Sequence, residues 1–262
     1  MLEASAASFH DKYCAMVANG DYAGAYRGLL AETELSPEEK RSIIAAINTE
    51  YLSLKGLEWG NHGIRRTFRF WTDEQKIGMI RQANRLTDAL SRFTPHVSFG
   101  FGSVLGFVRD GGFIPHDDDL DLIIALPSEG ATFQKAKREL REFLEANGFT
   151  PHGFDGNFPT HFGVNEGNGT AVDVFIGFVE ADRVAWFPSA RAGMLVSDVF
   201  PTSSMTILGE EVRVPANPQR YLEVTYGSDW REPIANWHHP WDIREFVDFW
   251  EAPPPDPNDS TD

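Results

Sequence analysis

The chain has almost no cysteine. Cys14 is the only one in 262 residues, so no internal disulfide forms and a cysteine-stapled secreted fold is excluded. Basic residues are scarce: 23 Lys and Arg stand against 39 Asp and Glu, a formal net charge of −16. A surface of that sign repels polyanions, which excludes broad binding along a nucleic acid polymer; a local basic pocket for a small phosphate compound is still compatible with it. No apolar run approaches the roughly 18 residues that a membrane span needs, so no transmembrane segment is expected. The opening Met1-Leu2-Glu3-Ala4-Ser5 has neither a basic nor an apolar leader pattern, and the expected location is cytoplasmic. On that expectation, the glycosylation-like triplets at Asn168 and Asn258 are chance matches. Aromatics, by contrast, are plentiful, with 20 Phe, 7 Trp and 6 Tyr, which rules out a disordered chain. The length suits one large domain, or one domain with an appendage, burying roughly 70–75% of its unfolded surface.

Periodicity divides the chain. In the first 55 residues, Phe9, Tyr13, Met16 and Val17 share one helical face. Gly20 then breaks the pattern, and Asp21 can cap a second helix carrying Ala25, Tyr26, Leu29 and Leu30. Ser36, Pro37 and Glu39 form a capping box with proline at the first helical position, ahead of the stripe Ile43, Ile44, Ile47 and Tyr51. A helical hairpin without a second copy is no solenoid, so this region reads as a helical appendage, with a partner-binding module as the alternative. Residues 56–71 look irregular, with Arg65, Arg66 and Arg69 either in a solvated basic loop or in a flap touching phosphate. Another capping-box pattern at 72–75 opens a helix running to about Phe93.

From residue 97 the periods mix. Strands are expected at 97–101, 119–126, 158–165, 170–179 and 183–187, with helices at 103–109 and 128–147. This is an α/β or α+β pattern with a mixed sheet. The last twelve residues, with four prolines and four acids, read as a disordered tail.

The chemistry concentrates in 99–125, FGFGSVLGFVRDGGFIPHDDDLDLIIA. A strand ends and a helix begins at Gly102-Ser103. Amides at a helix start suit phosphate, and glycine permits close approach, although alone such a pair says little. Asp117, Asp118, Asp119 and Asp121 follow within five residues. On a strand, Asp119 and Asp121 project to one side while Leu120 and Leu122 enter the core, and Asp117 joins them if the strand starts early. Crowded carboxylates destabilise one another unless a cation intervenes, and hard oxygen donors suit Mg2+ or Mn2+. An EF-hand is excluded, since Leu122 stands where that loop needs glycine and Ser128 where it needs glutamate. Downstream, Asp173 alternates with Val172, Val174 and Ile176. Such an aspartate is ordinarily an edge residue; beside an acid pair it becomes a third ligand or a general base.

A glycine-serine turn, an Asp-apolar-Asp strand and a later strand aspartate together resemble the nucleotidyltransferase-fold arrangement. The run from Gly102 to Asp121 resembles more narrowly the LicD and fukutin family, whose motif reads roughly G-[ST]-L-L-G-A-V-R-x-x-G-F-I-P-W-D-D-D-I-D. Gly102, Ser103, Leu105, Gly106, Val108, Arg109, Gly112, Phe113, Ile114, Pro115, Asp117, Asp118, Asp119 and Asp121 stand in register with it. Phe107 replaces the usual alanine and His116 the usual tryptophan. Val214-Pro215 and the Leu222, Tyr226-Gly227, Trp230, Pro233 pattern resemble the family's closing segment, so the likeness covers about 97–235.

The resemblance implies an α+β fold: a nucleotidyltransferase-like mixed β-sheet core flanked by helices over 96–250, after a helical N-terminal region over 1–95 and before a tail at 251–262. It implies a LicD-like phosphotransferase that moves a phospho-alcohol, phosphocholine-like or polyol phosphate, from a CDP-activated donor to a saccharide hydroxyl and releases CMP. On this reading Asp119 and Asp121 hold Mg2+ or Mn2+, and Asp173 is a further ligand or accepts the hydroxyl proton. The Gly102-Ser103 backbone and Arg109 steady the phosphates, while His116 and Asp117 contribute to substrate binding. Arg109 has a second reading as a helix-end cation, and His116 as a packing substitute for tryptophan. His161, His238 and His239 show no zinc-ligand spacing. Two alternatives stand beside this one: a nucleotidylyltransferase that attaches NMP to its acceptor, and an inactive fold member serving as a binding module. All the motifs lie after Val97, so residues 1–55 are expected to be dispensable for chemistry.

Overall fold

The computed structural model describes residues 4–153, 160–167, 169–191, 193–233, 239 and 243–251. Asn168, Asn258, His238 and the tail from residue 252 lie outside the described residues. The chain forms two compact units: Met1–Thr72 with Pro115–Asp118, and Asp73–Ile114 with Asp119–Asp262.

The first unit is built on α1 (Ala4–Ala18), α2 (Tyr22–Ala31) and α3 (Pro37–Ile47). Asp21 caps α2 by accepting the Gly24 amide at 2.9 Å, and Ser36 and Glu39 form the reciprocal capping box of α3. Tyr13, Val17, Leu29, Ile43 and Ile47 are fully buried together. Residues 58–65, expected to be irregular, form an antiparallel ribbon of β1 (Glu58–Gly60) and β2 (Gly63–Arg65). Three-residue strands are too short for alternation to register, which is why the pattern missed them. Trp59 inserts the ribbon into the helical core: it packs on Tyr13 and Tyr26 at 6.5 and 6.2 Å, and Asn48 brackets its backbone by accepting the amide (2.7 Å) and donating to the carbonyl (3.2 Å).

The second unit opens with α4 (Asp73–Leu90), whose buried face packs on the sheet described next. This helix therefore belongs with the core, and the division falls after Thr72 instead of at 95. Then come β3 (Val97–Phe99), α5 (Phe101–Leu105), β4 (Leu120–Pro127), α6 (Phe133–Ala146), β5 (Thr150–Pro151), β6 (His161–Asn165), β7 (Val172–Glu180), β8 (Arg183–Trp186) and β9 (Met194–Leu195). The sheet runs β3-β4-β7-β6-β5. β4 and β7 are parallel, while β3 is antiparallel to β4, and β6 and β8 are antiparallel to β7. This is the expected mixed sheet with helices on it. After α7 (Val196–Val199), β10 (Ser203–Ile207) and β11 (Glu210–Val214) make a separate hairpin, which the sequence reading did not anticipate, followed by α8 (Pro218–Tyr226). Arg81–Glu210 at 2.8 Å and Arg213–Asp88 at 2.6 Å tie that hairpin to α4.

Candidate functional site

The turn between β3 and α5 is fixed by its own sequence. A Cβ on Gly100 would lie 2.4 Å from Ile123 Cγ2, so only glycine fits against β4. Gly100 donates its amide to the Asp121 carbonyl at 3.0 Å, and Asp121 donates its amide to Ser103 Oγ at 2.7 Å. The glycine-serine turn thus grips the acid strand at Asp121. Phe101 occupies the left-handed region at φ +36°, a conformation that costs about 1–3 kcal/mol and persists only where the surroundings enforce it. Two contacts hold it: its amide donates to the buried Tyr221 hydroxyl at 2.9 Å, and its ring packs on Phe175 at 4.4 Å. The chain then leaves α5 through a wide turn at Gly106–Asp110, where a Cβ on Gly106 would stand 2.6 Å from the Gly112 carbonyl.

The parallel register of β4 and β7 sets Asp121 opposite Asp173. Neighbouring strands lie about 4.8 Å apart and paired residues share a face, so the two carboxylates stand side by side. Asp121 is only 8% exposed. Asp119 comes one residue ahead of β4, two before Asp121. Across β7 the partner of Asp173 is Gly163, whose missing side chain leaves room: a Cβ there would stand 3.3 Å from Asp173 Oδ1. Two carboxylates opposed in this way, one of them buried, repel each other unless a cation intervenes, and their hard oxygens suit magnesium or manganese. The residues fit such an ion.

Two histidines that the sequence reading considered only as zinc ligands lie close by. His161 stacks on Phe175 at 4.7 Å with a 17° interplanar angle; burial, helped by the Lys137 charge, lowers its pKa to about 4. His239 sits 5.4 Å from both Phe101 and Tyr226, and burial lowers its pKa to about 4 as well. Both imidazoles are neutral at neutral pH. The pairing of His161 with Phe175, two residues beyond Asp173 on β7, follows from strand register, which periodicity does not supply.

Among the other expected site residues, Gly102 lies in the first turn of α5. Arg109 is held bidentate by Asp110 at 2.9 and 2.8 Å, and that hydrogen bond raises its pKa further. His116 and Asp117 fold with the first unit. His116 is exposed, 3.3 Å from Arg69 Nη2, and Asp117 accepts the Phe68 amide on its carbonyl at 2.8 Å. Asp118, which received no role from the sequence, is the anchor there: His62 and Arg65 each bond it at 2.9 Å. Burial pushes the Asp118 carboxyl up, but those two hydrogen bonds outweigh it and hold it below the usual carboxylate range. Arg65, Arg66 and Arg69 are therefore engaged within their own unit: Arg65 by Asp118, Arg66 by the Phe70 carbonyl at 2.6 Å, and Arg69 by Glu58 at 3.5 Å.

Comparison with known proteins matches residues 98–217 to the family described as LicD/FKTN/FKRP, nucleotidyltransferase domain. One curated relative is the mouse (Mus musculus) ribitol-5-phosphate transferase FKTN, 27% identical over 164 residues. That alignment takes in 59% of this chain and 31% of the relative, so the chain spans under a third of its length. Among solved structures, the crystal structure of ANT(2")-Ia in complex with adenylyl-2"-tobramycin aligns with a TM-score of 0.36 and 16% identity, covering 55% of this chain and 70% of that one. Within the described residues, no helix is long and apolar enough to cross a membrane. The segment 98–217, carrying the glycine-serine turn, the end of the acidic run and the opposed Asp121 and Asp173, is thus similar to the nucleotidyltransferase domain of the LicD/FKTN/FKRP family.

Proposed function

We propose that the protein transfers a phospho-alcohol, phosphocholine-like or polyol phosphate, from a CDP-activated donor to a saccharide hydroxyl and releases CMP. The observation that carries this reading is the Asp121–Asp173 register pair inside the matched segment. Asp119, Asp121 and Asp173 would hold Mg2+ or Mn2+. When bound, the ion neutralises charge on the donor pyrophosphate. The reaction asks little covalent work of the protein; positioning and electrostatic stabilisation lower the barrier. First-turn amides at Gly102 and Ser103 lie outside the helix ladder and suit a phosphate oxygen. Arg109 adds a cation that Asp110 orients. The acceptor oxygen forms a bond to the alcohol-bearing phosphorus, the bond from that phosphorus to the bridging oxygen breaks so that the oxygen leaves on CMP, and the hydroxyl proton passes to the Asp173 carboxylate. No step is assigned to His116 or Asp117, which fold with the first unit.

The test is incubation of the full chain with Mg2+, a panel of CDP-alcohols and saccharide acceptors. Free CMP should accumulate with at least one donor and stop on chelation. CMP found covalently on the acceptor would replace this reading with nucleotidyl transfer, and no CMP release from any donor would overturn it.

A further inference from the structure

A second group of metal-ligating side chains lies in the first unit, away from the family motif in sequence. His10 and Cys14 stand four residues apart on α1, so they share one face of that helix. Glu50, in the turn after α3, reaches the same place. His10 Nε2 is 3.4 Å from Cys14 Sγ and 3.5 Å from Glu50 Oε2, and one ligand atom from each residue lies within 4.8 Å of the others. Ligands at about 2.0–2.3 Å from a tetrahedral zinc ion are separated from each other by about 3.3–3.8 Å. Both separations measured from Nε2 fall in that span. The other ring nitrogen, Nδ1, faces Asp11 Oδ1 at 3.5 Å. A carboxylate on Nδ1 favours the tautomer that leaves the Nε2 lone pair for a metal, the usual outer support of a metal-bound histidine.

We propose that His10, Cys14 and Glu50 form a binding site for a borderline transition-metal ion of the zinc or cobalt(II) class, with a fourth position open to water. The nitrogen, sulfur and oxygen donors separate it chemically from the all-carboxylate set on the sheet, which suits magnesium. Binding forms a metal–sulfur bond and releases the Cys14 thiol proton to solvent; without metal, burial holds that thiol protonated. The ion would cross-link α1 to the turn after α3. It has no part in the proposed transfer reaction.

The single cysteine makes the test specific. Titrating the full chain with Co2+ should give an intense near-ultraviolet thiolate-to-cobalt absorption that saturates at one ion per chain and is displaced by Zn2+. Cys14→Ser should abolish the band, His10→Ala and Glu50→Gln should each weaken binding at least ~10-fold, and Asp121→Asn should leave it unchanged. If Cys14→Ser does not fold, the band in the native chain and its weakening in the other two variants still decide the matter. Absence of the band in the native chain, or its persistence at full affinity in His10→Ala and Glu50→Gln, would overturn the proposal.

Discussion

Ser103 is worth more than its place in a glycine-serine turn suggests. Its hydroxyl accepts the amide of a residue that is itself nearly buried, so Ser103→Ala strands that donor. The cost should be about 1–3 kcal/mol by denaturant unfolding, and CMP release should fall with it, because Asp121 loses its brace. The acids behave in the opposite way. Asp121→Asn and Asp173→Asn should each cut turnover at least ~10²-fold without lowering the melting temperature, since each relieves like-charge repulsion between paired strands. A melting temperature reduced as much as in Ser103→Ala would mean that the carboxylates are structural.

At the scale of elements, the ribbon of β1 and β2 changes the view of the N-terminal region. Trp59 is 4% exposed within the helical core and Asn48 holds its backbone, so removing residues 1–55 strips the ribbon of its support. To the expectation that residues 1–55 are dispensable for chemistry, this packing adds a prediction about stability. Trp59→Ala should destabilise the first unit by about 3–5 kcal/mol, seen as an earlier unfolding transition, and a 56–262 chain should expose hydrophobic surface to a dye such as ANS. An unchanged thermal profile for Trp59→Ala would refute this. The ribbon was illegible because its strands have three residues each and its cohesion rests on one tryptophan and one asparagine distant in sequence. Helices with caps, such as that opened by Ser36, Pro37 and Glu39, were legible because local chemistry fixes their ends. The acidic pair was half legible: alternation placed Asp121 and Asp173 on strands, but only the β4–β7 register sets them opposite each other. Asp118 was illegible, because its partners His62 and Arg65 come from the ribbon.

For the whole molecule, acid sensitivity follows from the buried imidazoles. His161 and His239 titrate at about 4 in the fold, against an ordinary value of 6.5. Below 6.5 the unfolded chain takes up protons that the folded one refuses, so stability falls as pH drops from about 6.5 to about 4, by up to ~3 kcal/mol for each group. His161→Phe keeps a ring on Phe175 and should flatten that slope in pH-dependent denaturation; an unchanged slope would show that the proton is accommodated elsewhere. The claim on which the rest depends is that strand register brings Asp121 and Asp173 to one divalent ion. Mn2+ binding to the full chain, followed by electron paramagnetic resonance, tests it most directly. The account predicts a bound Mn2+ in the native protein whose affinity drops at least ~10-fold in Asp173→Asn and in Asp121→Asn. Native-level affinity in the Asp173→Asn protein would contradict it.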